Sequence, residues 1–479
     1  MIKNPDALPQ LIGEFAPVDE WQSRINRLFY GLQGEHVRKY YQTFSSADYR
    51  LAHALAVDYF EKVVKREEGR DSALSTQHSA PLTVMEWGPG NGNLAGCFLT
   101  HLKELDRQGQ VYPRVRYVLV GNRQHQLDEA LGHPALAPHR ERVSTECADV
   151  QNLTGTPDGS VDRILCPDLW NELATKLMLR KEGEIEEEYI RPNLKEQTFD
   201  LIPDWAGFVQ AFEAMDVEAL KKFPPFLEEI VWEKEYRKSE WKSVAFRKTI
   251  TDHLKLVDEH VLVPVNLGAH GCLREAKRVL APDAVGLSVF DAGTAQSVVL
   301  NDPEKPCYGF FGGQHSFMVN FLLAESVATY LGFKSVAVEP QREFVGRELG
   351  THVMSVMDLL AGYPAPQSLA PWEQDRLVLQ TIQRLNGVYT SPYERPLDFP
   401  LRDGMPPAER AALEEILKNL KRNGIPDTVA YISEQEILAA LSDLTALGYD
   451  RDAVMTMLQA PPQPVDYYHL SCCPQTGSA

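Results

Sequence analysis

The sequence has no apolar run long enough to cross a bilayer, no cysteine pair in CxxC spacing and no excess of basic residues. The first absence argues against a transmembrane helix. Its seven cysteines, Cys97, Cys147, Cys166, Cys272, Cys307, Cys472 and Cys473, are odd in number and scattered without metal-ligand spacing. That distribution is not a disulfide framework and not a zinc site, and it reads as reduced thiols with no bound metal. Lys and Arg number 48 against 67 Asp and Glu, a formal net charge of -19. A chain so acidic lacks the basic face that releases counterions from a phosphate backbone, so no nucleic-acid partner is expected. The start, MIKNPDALPQLIGEF, lacks the basic and then apolar arrangement of a secretory leader and is too acidic for a transit peptide, so the expected location is cytoplasmic, with no membrane partner.

What is present is ordinary globular composition, 44% hydrophobic and 24% charged, over 479 residues. That length exceeds one compact core and implies two or three domains, or one domain with large insertions. Residues 1 to about 75 carry helical periodicity in DEWQSRINRLFYGL and ADYRLAHALAVDYFEKVVKREEG, and GRDSALSTQHSA reads as a linker. Strands then alternate with helices: PLTVMEWG, VRYVLVG, RVSTECADV and VDRILCPDLWNEL, as in a parallel, doubly wound α/β sheet. From 192 to about 255 the chain reads as a helical insertion. Sheet resumes through LSVFDAG and FKSVAVEP, and 351 to 465 reads as helical, followed by a loosely ordered tail. The expected division is an N-terminal helical region over 1–75, an α/β domain over 76–350 and a C-terminal helical region over 351–479.

The most informative stretch is LTVMEWGPGNGNLAG, where a strand ending in Glu86 turns through Gly88, Gly90 and Gly92 into a helix. Glycines let backbone approach a ligand where a Cβ would collide. Two cofactor classes use such bends, dinucleotides and S-adenosylmethionine, and an ordinary tight turn would look similar. A dinucleotide site reads GxGxxG, whereas here an acid precedes glycines spaced every second residue. Downstream, Asp149 closes the third strand, where a carboxylate can accept from an adenine amino group or simply cap a turn.

With MEWGPGNGNLA, YVLVG, LWNELATKLMLRKEGEIEEEYI, LSVFDAG, YGFFGGQHSFMVNFLLAESVATYLGF and VEPQREFVGRELG, the chain resembles the MidA-like S-adenosylmethionine-dependent methyltransferases, related to a mitochondrial complex I assembly factor that methylates an arginine. The resemblance spans about 82 to 350. It implies a Rossmann-like class I methyltransferase fold and S-adenosylmethionine held by Glu86, Gly88, Gly90, Gly92, Asn122 and Asp149. It also implies Asn171 and Glu172 beside the transferred methyl, and an acceptor that is a protein side chain, arginine by resemblance, or a small molecule. Two positions depart from the family pattern. Gly121 stands where the second strand ends in a ribose-binding acid, with Asn122 or Gln124 as partial substitutes, and Thr175 stands where another acid is usual. A carboxylate accepting both ribose hydroxyls contributes roughly 1.5 to 3 kcal/mol, so the alternative reading is a catalytically degenerate protein of this fold that binds a partner.

Other residues carry bland and specific readings side by side. The acids of Glu182 to Glu188 could join Glu172 on a guanidinium or form a solvated face. Trp87 and Trp170 could wall a ligand or fill a core, and His315 could be a base or a structural histidine. Tyr40 and Tyr41 match a family dipeptide too short to use.

Overall fold

A computed structural model of the chain describes residues 10–33, 48–68, 81–239, 244–391, 399, 401–402, 404–420, 430–459 and 465–474. Tyr40, Tyr41 and the whole 69–80 linker expectation lie outside the described residues.

The N-terminal region contributes α1 (Val18–Gln33) and α2 (Tyr49–Glu68). Helix α1 starts with Asp19 and Glu20 in its first turn, complementing the helix dipole, and buries Val18, Trp21, Ile25, Leu28 and Phe29 at three- and four-residue spacing. The α/β part then runs β1 (Leu82–Trp87), α3 (Asn93–Leu105), β2 (Val115–Gly121), α4 (Gln124–Leu131), β3 (Val143–Cys147) and β4 (Arg163–Pro167). Next come β5 (Lys176–Lys181), β6 (Glu184–Leu194), β7 (Ile230–Lys238) and β8 (Val263–Val265). After α5 (Leu267–Val279), β9 (Gly286–Thr294), α6 (Phe321–Tyr330) and β10 (Ser335–Pro340), the chain makes several helices and ends in β11 (Asp466–Cys473).

The main sheet has the order β10-β11-β9-β4-β1-β2-β3, with the short strand Val319–Asn320 beside β9. Strands β9, β4, β1, β2 and β3 are parallel neighbours, and β11 runs antiparallel to both β9 and β10. This is the Rossmann-like class I methyltransferase topology, with a reversed seventh strand inserted between the fifth and sixth. Period-2 alternation sorts β1 between two cores: Leu82 and Val84 join the cluster containing α2 and α3, while Met85 and Trp87 join the one containing α5 and α6. The chain leaves β1 toward β2 and β3 and returns to β4 on β1's other side, so a crevice opens at the strands' carboxyl ends.

Three segments differ from the sequence expectation. The tail, read as loose, supplies β11, whose Leu470 and Cys472 are fully buried between two strands. The region assigned to 351–479 therefore ends in sheet, and its residues Val353, Met354, Tyr431 and Leu444 share one hydrophobic cluster with Leu55, Phe98 and Tyr117. The stretch 192–255, read as helical, contains helices Trp205–Glu213 and Arg247–Leu254 but also the nine-residue β7. Its charges alternate across β6 instead of lining a helix: Arg191 pairs with Glu233 at 2.5 Å, Lys234 with Glu188 at 3.4 Å and Lys238 with Glu184 at 2.9 Å. Finally, the N-terminal region adds short strands Gln10–Leu11 and Ala16–Pro17 to the antiparallel sheet built on β5 to β8.

Candidate functional site

A cleft of about 580 Å³ opens at the carboxyl ends of β1 to β4, within the size range of small-molecule sites. Its floor is the loop after β1. Gly88, Gly90 and Gly92 have φ of 75°, 52° and 85°, so the alternate glycines answer a backbone that turns through the left-handed region three times in five residues. Gly88 N–H donates to Val120 O at 2.9 Å, tying the loop to β2. A Cβ on Gly92 would meet Ala130 O at 2.4 Å, so this glycine also permits close packing against α4.

The expected ligand residues separate into two groups. Gly88, Gly90, Asn122, Asp149 and Glu172 line the cleft, as do Gly121, Ala148, Pro167 and Asp168. Asp149 is exposed at the end of β3, its Oδ1 accepting the Gln151 N–H at 2.9 Å in a local turn. Glu86, Gly92 and Asn171 are not among the lining residues. Glu86 shares the face of β1 that carries Leu82 and Val84, so its carboxyl is wholly buried and accepts from Tyr117 Oη at 2.7 Å. Burial pushes it up to about 8, and Oε1 has no partner, which makes it a neutral acid beneath the loop instead of a direct ligand contact.

Asn171 sits behind the cleft wall in the turn Trp170–Glu172. Asp291, within β9, accepts the backbone N–H of Trp170 at 2.7 Å and of Asn171 at 3.1 Å, and the Asn171 side-chain amide at 2.7 Å. This carboxylate therefore sets the turn that presents Glu172. Parallel pairing of Pro167 with Phe290 places Asp168 and Asp291 side by side, and Asp168 N–H donates to Phe290 O at 2.8 Å. Burial and the neighbouring Asp168 raise the Asp291 pKa, because two carboxyls at that depth do not both ionise cheaply. Asp168 lines the cleft with φ of 47°, a left-handed conformation disfavoured for a non-glycine and concentrated at functional sites.

The far wall of the cleft is α1, contributing Ser23, Asn26, Arg27, Phe29 and Tyr30. Two buried amides pin it there. Gln22 donates to Asn171 O at 3.3 Å and accepts from Thr175 N–H at 2.8 Å, while Asn26 donates to His315 O at 2.9 Å and Glu172 O at 3.3 Å. Tyr30 Oη donates to Glu172 Oε2 at 2.6 Å and accepts from Gln314 at 3.1 Å. Burial raises the Glu172 pKa and the Tyr30 and Gln314 hydrogen bonds oppose the rise. Arg123, the residue capping α4, lays its guanidinium 4.4 Å from the centre of the Tyr30 ring.

The remaining candidates lie elsewhere. Thr175 is buried, with Oγ1 donating to Leu173 O at 2.9 Å and accepting from Asn266 at 3.1 Å, so its hydroxyl braces the backbone there. Trp87 and Trp170 are fully buried in the core. His315 is buried against Trp232, its ring held by burial at about 3 and so neutral. Of the acids from Glu182 to Glu188, none lines the cleft; Glu187 pairs with Lys176, and Glu186 with Lys181 at 3.8 Å. Sequence reasoning missed the α1 residues, Arg123, Asp168 and Gln314. Asp168 carried a signal, an acid directly after a strand at the carboxyl edge, and the others come from segments whose position only the fold reveals.

Among the described residues, no group of three or more His, Cys, Asp or Glu is arranged to hold a metal, and no helix is long and apolar enough to cross a membrane.

No protein-family profile matches the sequence, and no curated protein matches it. Solved structures match it at low identity and with TM-scores below 0.5. A Burkholderia thailandensis protein described as a likely methyl transferase and bound to S-adenosylhomocysteine is 14% identical over 74% of this chain and 80% of its own, with a TM-score of 0.45. A second Burkholderia thailandensis structure of the same superfamily is 13% identical over 96% of this chain and 88% of its own, with a TM-score of 0.46. A Haemonchus contortus N-methyltransferase is 9% identical over 83% of this chain and 50% of its own, with a TM-score of 0.29. Similarity at this level does not carry residue roles from one chain to another.

Proposed function

We propose that the chain is an S-adenosylmethionine-dependent methyltransferase. The observation that carries this reading is the coincidence, in one cleft, of Gly88 and Gly90 from the turn after β1, the exposed Asp149 after β3 and the half-buried Glu172 after β4, on a sheet of class I order. The residues fit that cofactor. Gly88 and Gly90 leave room for an amino-acid tail against backbone, Asn122 offers the ribose an amide, and Asp149 offers the adenine amine an acceptor. The cofactor supplies an activated methyl on a sulfonium, which lowers the chemical demand on the protein.

What the chain must do is align the acceptor, exclude water and take a proton if the acceptor loses one. Glu172 is placed to take that proton, since its raised pKa makes it a stronger base than an exposed carboxylate, and Tyr30 and Asp291 fix its position directly and through the turn. Helix α1 closes the outer side, which limits solvent entry to the mouth. The acceptor is a protein side chain or a small molecule. The alternative, a partner-binding protein of this fold without turnover, draws on Gly121, which leaves the ribose without its charge-assisted partner.

The two readings part on labelled-methyl transfer into fractionated cell extract. The enzyme reading expects a labelled product with the wild-type chain and at least about a hundredfold slower labelling with Glu172→Gln, the usual scale of a lost general base. Protein that binds S-adenosylhomocysteine yet labels nothing in any fraction supports the partner-binding reading instead.

A further inference from the structure

Five charged residues line the cleft, the acids Asp149, Asp168 and Glu172 and the bases Arg27 and Arg123. In a protein of net charge -19, the groups there include two guanidiniums, Arg27 and Arg123, that have no ion pair or side-chain hydrogen bond among the described residues. Arg27 lies on α1 one turn before Tyr30, and Arg123 follows β2 by two residues, so they face the same space from opposite walls. Arg123 is half-buried and fixed over the Tyr30 ring. Burial and the nearby Arg27 both weaken its hold on its proton, while Tyr30 and Glu172 counteract them. Glu172 acts on Arg123 through space without forming an ion pair, so the guanidinium's N–H donors stay available to a ligand.

The acids on the cleft are already engaged. Glu172 accepts from Tyr30, Asp149 Oδ1 accepts from the Gln151 backbone, and Asp168 accepts from Tyr467. A cationic acceptor such as an arginine side chain would meet two like charges, with Asp149 taken up by the adenine amine and Glu172 already bonded to Tyr30.

We propose that the molecule methylated in this cleft carries an anionic group, a carboxylate or a phosphate, received between Arg27 and Arg123 with its nucleophile directed toward Glu172. Tyr30 links the two functions, since its ring supports Arg123 while its hydroxyl holds Glu172. The inference rests on the methyltransferase reading and gives its acceptor a chemical class.

The test uses the full chain saturated with S-adenosylhomocysteine in an anion-poor buffer. Millimolar inorganic phosphate or succinate should raise the thermal midpoint by more than potassium chloride of equal ionic strength does, and the larger rise identifies phosphate or carboxylate as the preferred group. Arg27→Gln and Arg123→Gln should each remove that excess while S-adenosylhomocysteine affinity stays within about threefold of wild type. The double variant with Lys at both positions, which keeps charge but loses the fork, should restore part of it. An excess that persists in both glutamine variants overturns the proposal, as does a rise produced by N-acetylarginine amide and by neither anion. A tenfold or greater loss of S-adenosylhomocysteine affinity in Arg123→Gln also overturns it, because the pair would then serve the cofactor's own carboxylate. Failure of S-adenosylhomocysteine to bind the wild-type chain is a separate result that overturns the cofactor reading, and the anion titration is still readable without it.

Discussion

At the scale of single residues, Gly121 is the position on which the enzyme reading turns. A Cβ built there would meet Leu127 Cδ2 at 3.4 Å and nothing closer, and its φ is not left-handed, so no steric reason requires glycine. The end of β2 has room for the acid that the sequence resemblance places there. Gly121→Glu should therefore be tolerated and should tighten S-adenosylhomocysteine by about tenfold, the lower end of two charge-assisted hydrogen bonds. Unchanged or weaker binding in a stably folded variant would show that the ribose does not lie at the end of β2. Gly92 is the opposite case, because its φ of 85° and the approach of Ala130 O leave no room for any side chain.

Among the elements, β11 has the largest unforeseen role. It fills the gap between β9 and β10, with Leu470 and Cys472 wholly buried and His469 Nε2 2.8 Å from Ser288 Oγ. Truncation after Gln459 should expose the facing edges of both neighbours and abolish cooperative thermal unfolding; a truncated chain that melts within a few degrees of the full one would contradict this assignment. The strand was illegible in sequence because PPQP precedes it and a polar tail follows, a composition that normally marks fraying. The β7 strand hid for another reason, since EKEYRK alternates charges that pair across a sheet but also suit a helix surface. The order of β1 to β4 and the glycine turn, by contrast, were legible from apolar runs and glycine spacing alone. Helix α1 was legible as a helix but not as a cleft wall, because Asn26 and Tyr30 meet Glu172 across roughly 140 residues of sequence.

For the molecule as a whole, the buried titratable groups define a narrow optimum. Burial holds His53, His270 and His315 at about 3 and His139 and His253 at about 4. With folded values below the unfolded 6.5, their contribution is complete above that pH and is lost as pH falls through it. Glu86, raised from 4.5 to about 8, acts oppositely: the unfolded chain releases this proton above 4.5 while the folded chain keeps it, so stability falls as pH rises toward 8. The raised Asp291 adds in the same direction. Urea midpoints should therefore peak at about pH 6 to 7 and decline on both sides, and a maximum at pH 8 or above would contradict the assignment of Glu86 and Asp291 as acids kept protonated by burial.

These scales meet in the cleft, where a glycine turn, a seven-stranded frame and two arginines would have to act on one ligand. Calorimetric titration of S-adenosylhomocysteine into the wild-type chain and into Gly90→Arg, a substitution in the cleft's own lining, tests that most directly. Saturable one-to-one binding by the wild type, weakened at least about a hundredfold in a variant with an unchanged circular dichroism spectrum, is the predicted result, equivalent to about 2.7 kcal/mol. The absence of heat from folded wild-type protein near millimolar ligand, or equal affinity in the two chains, would contradict it.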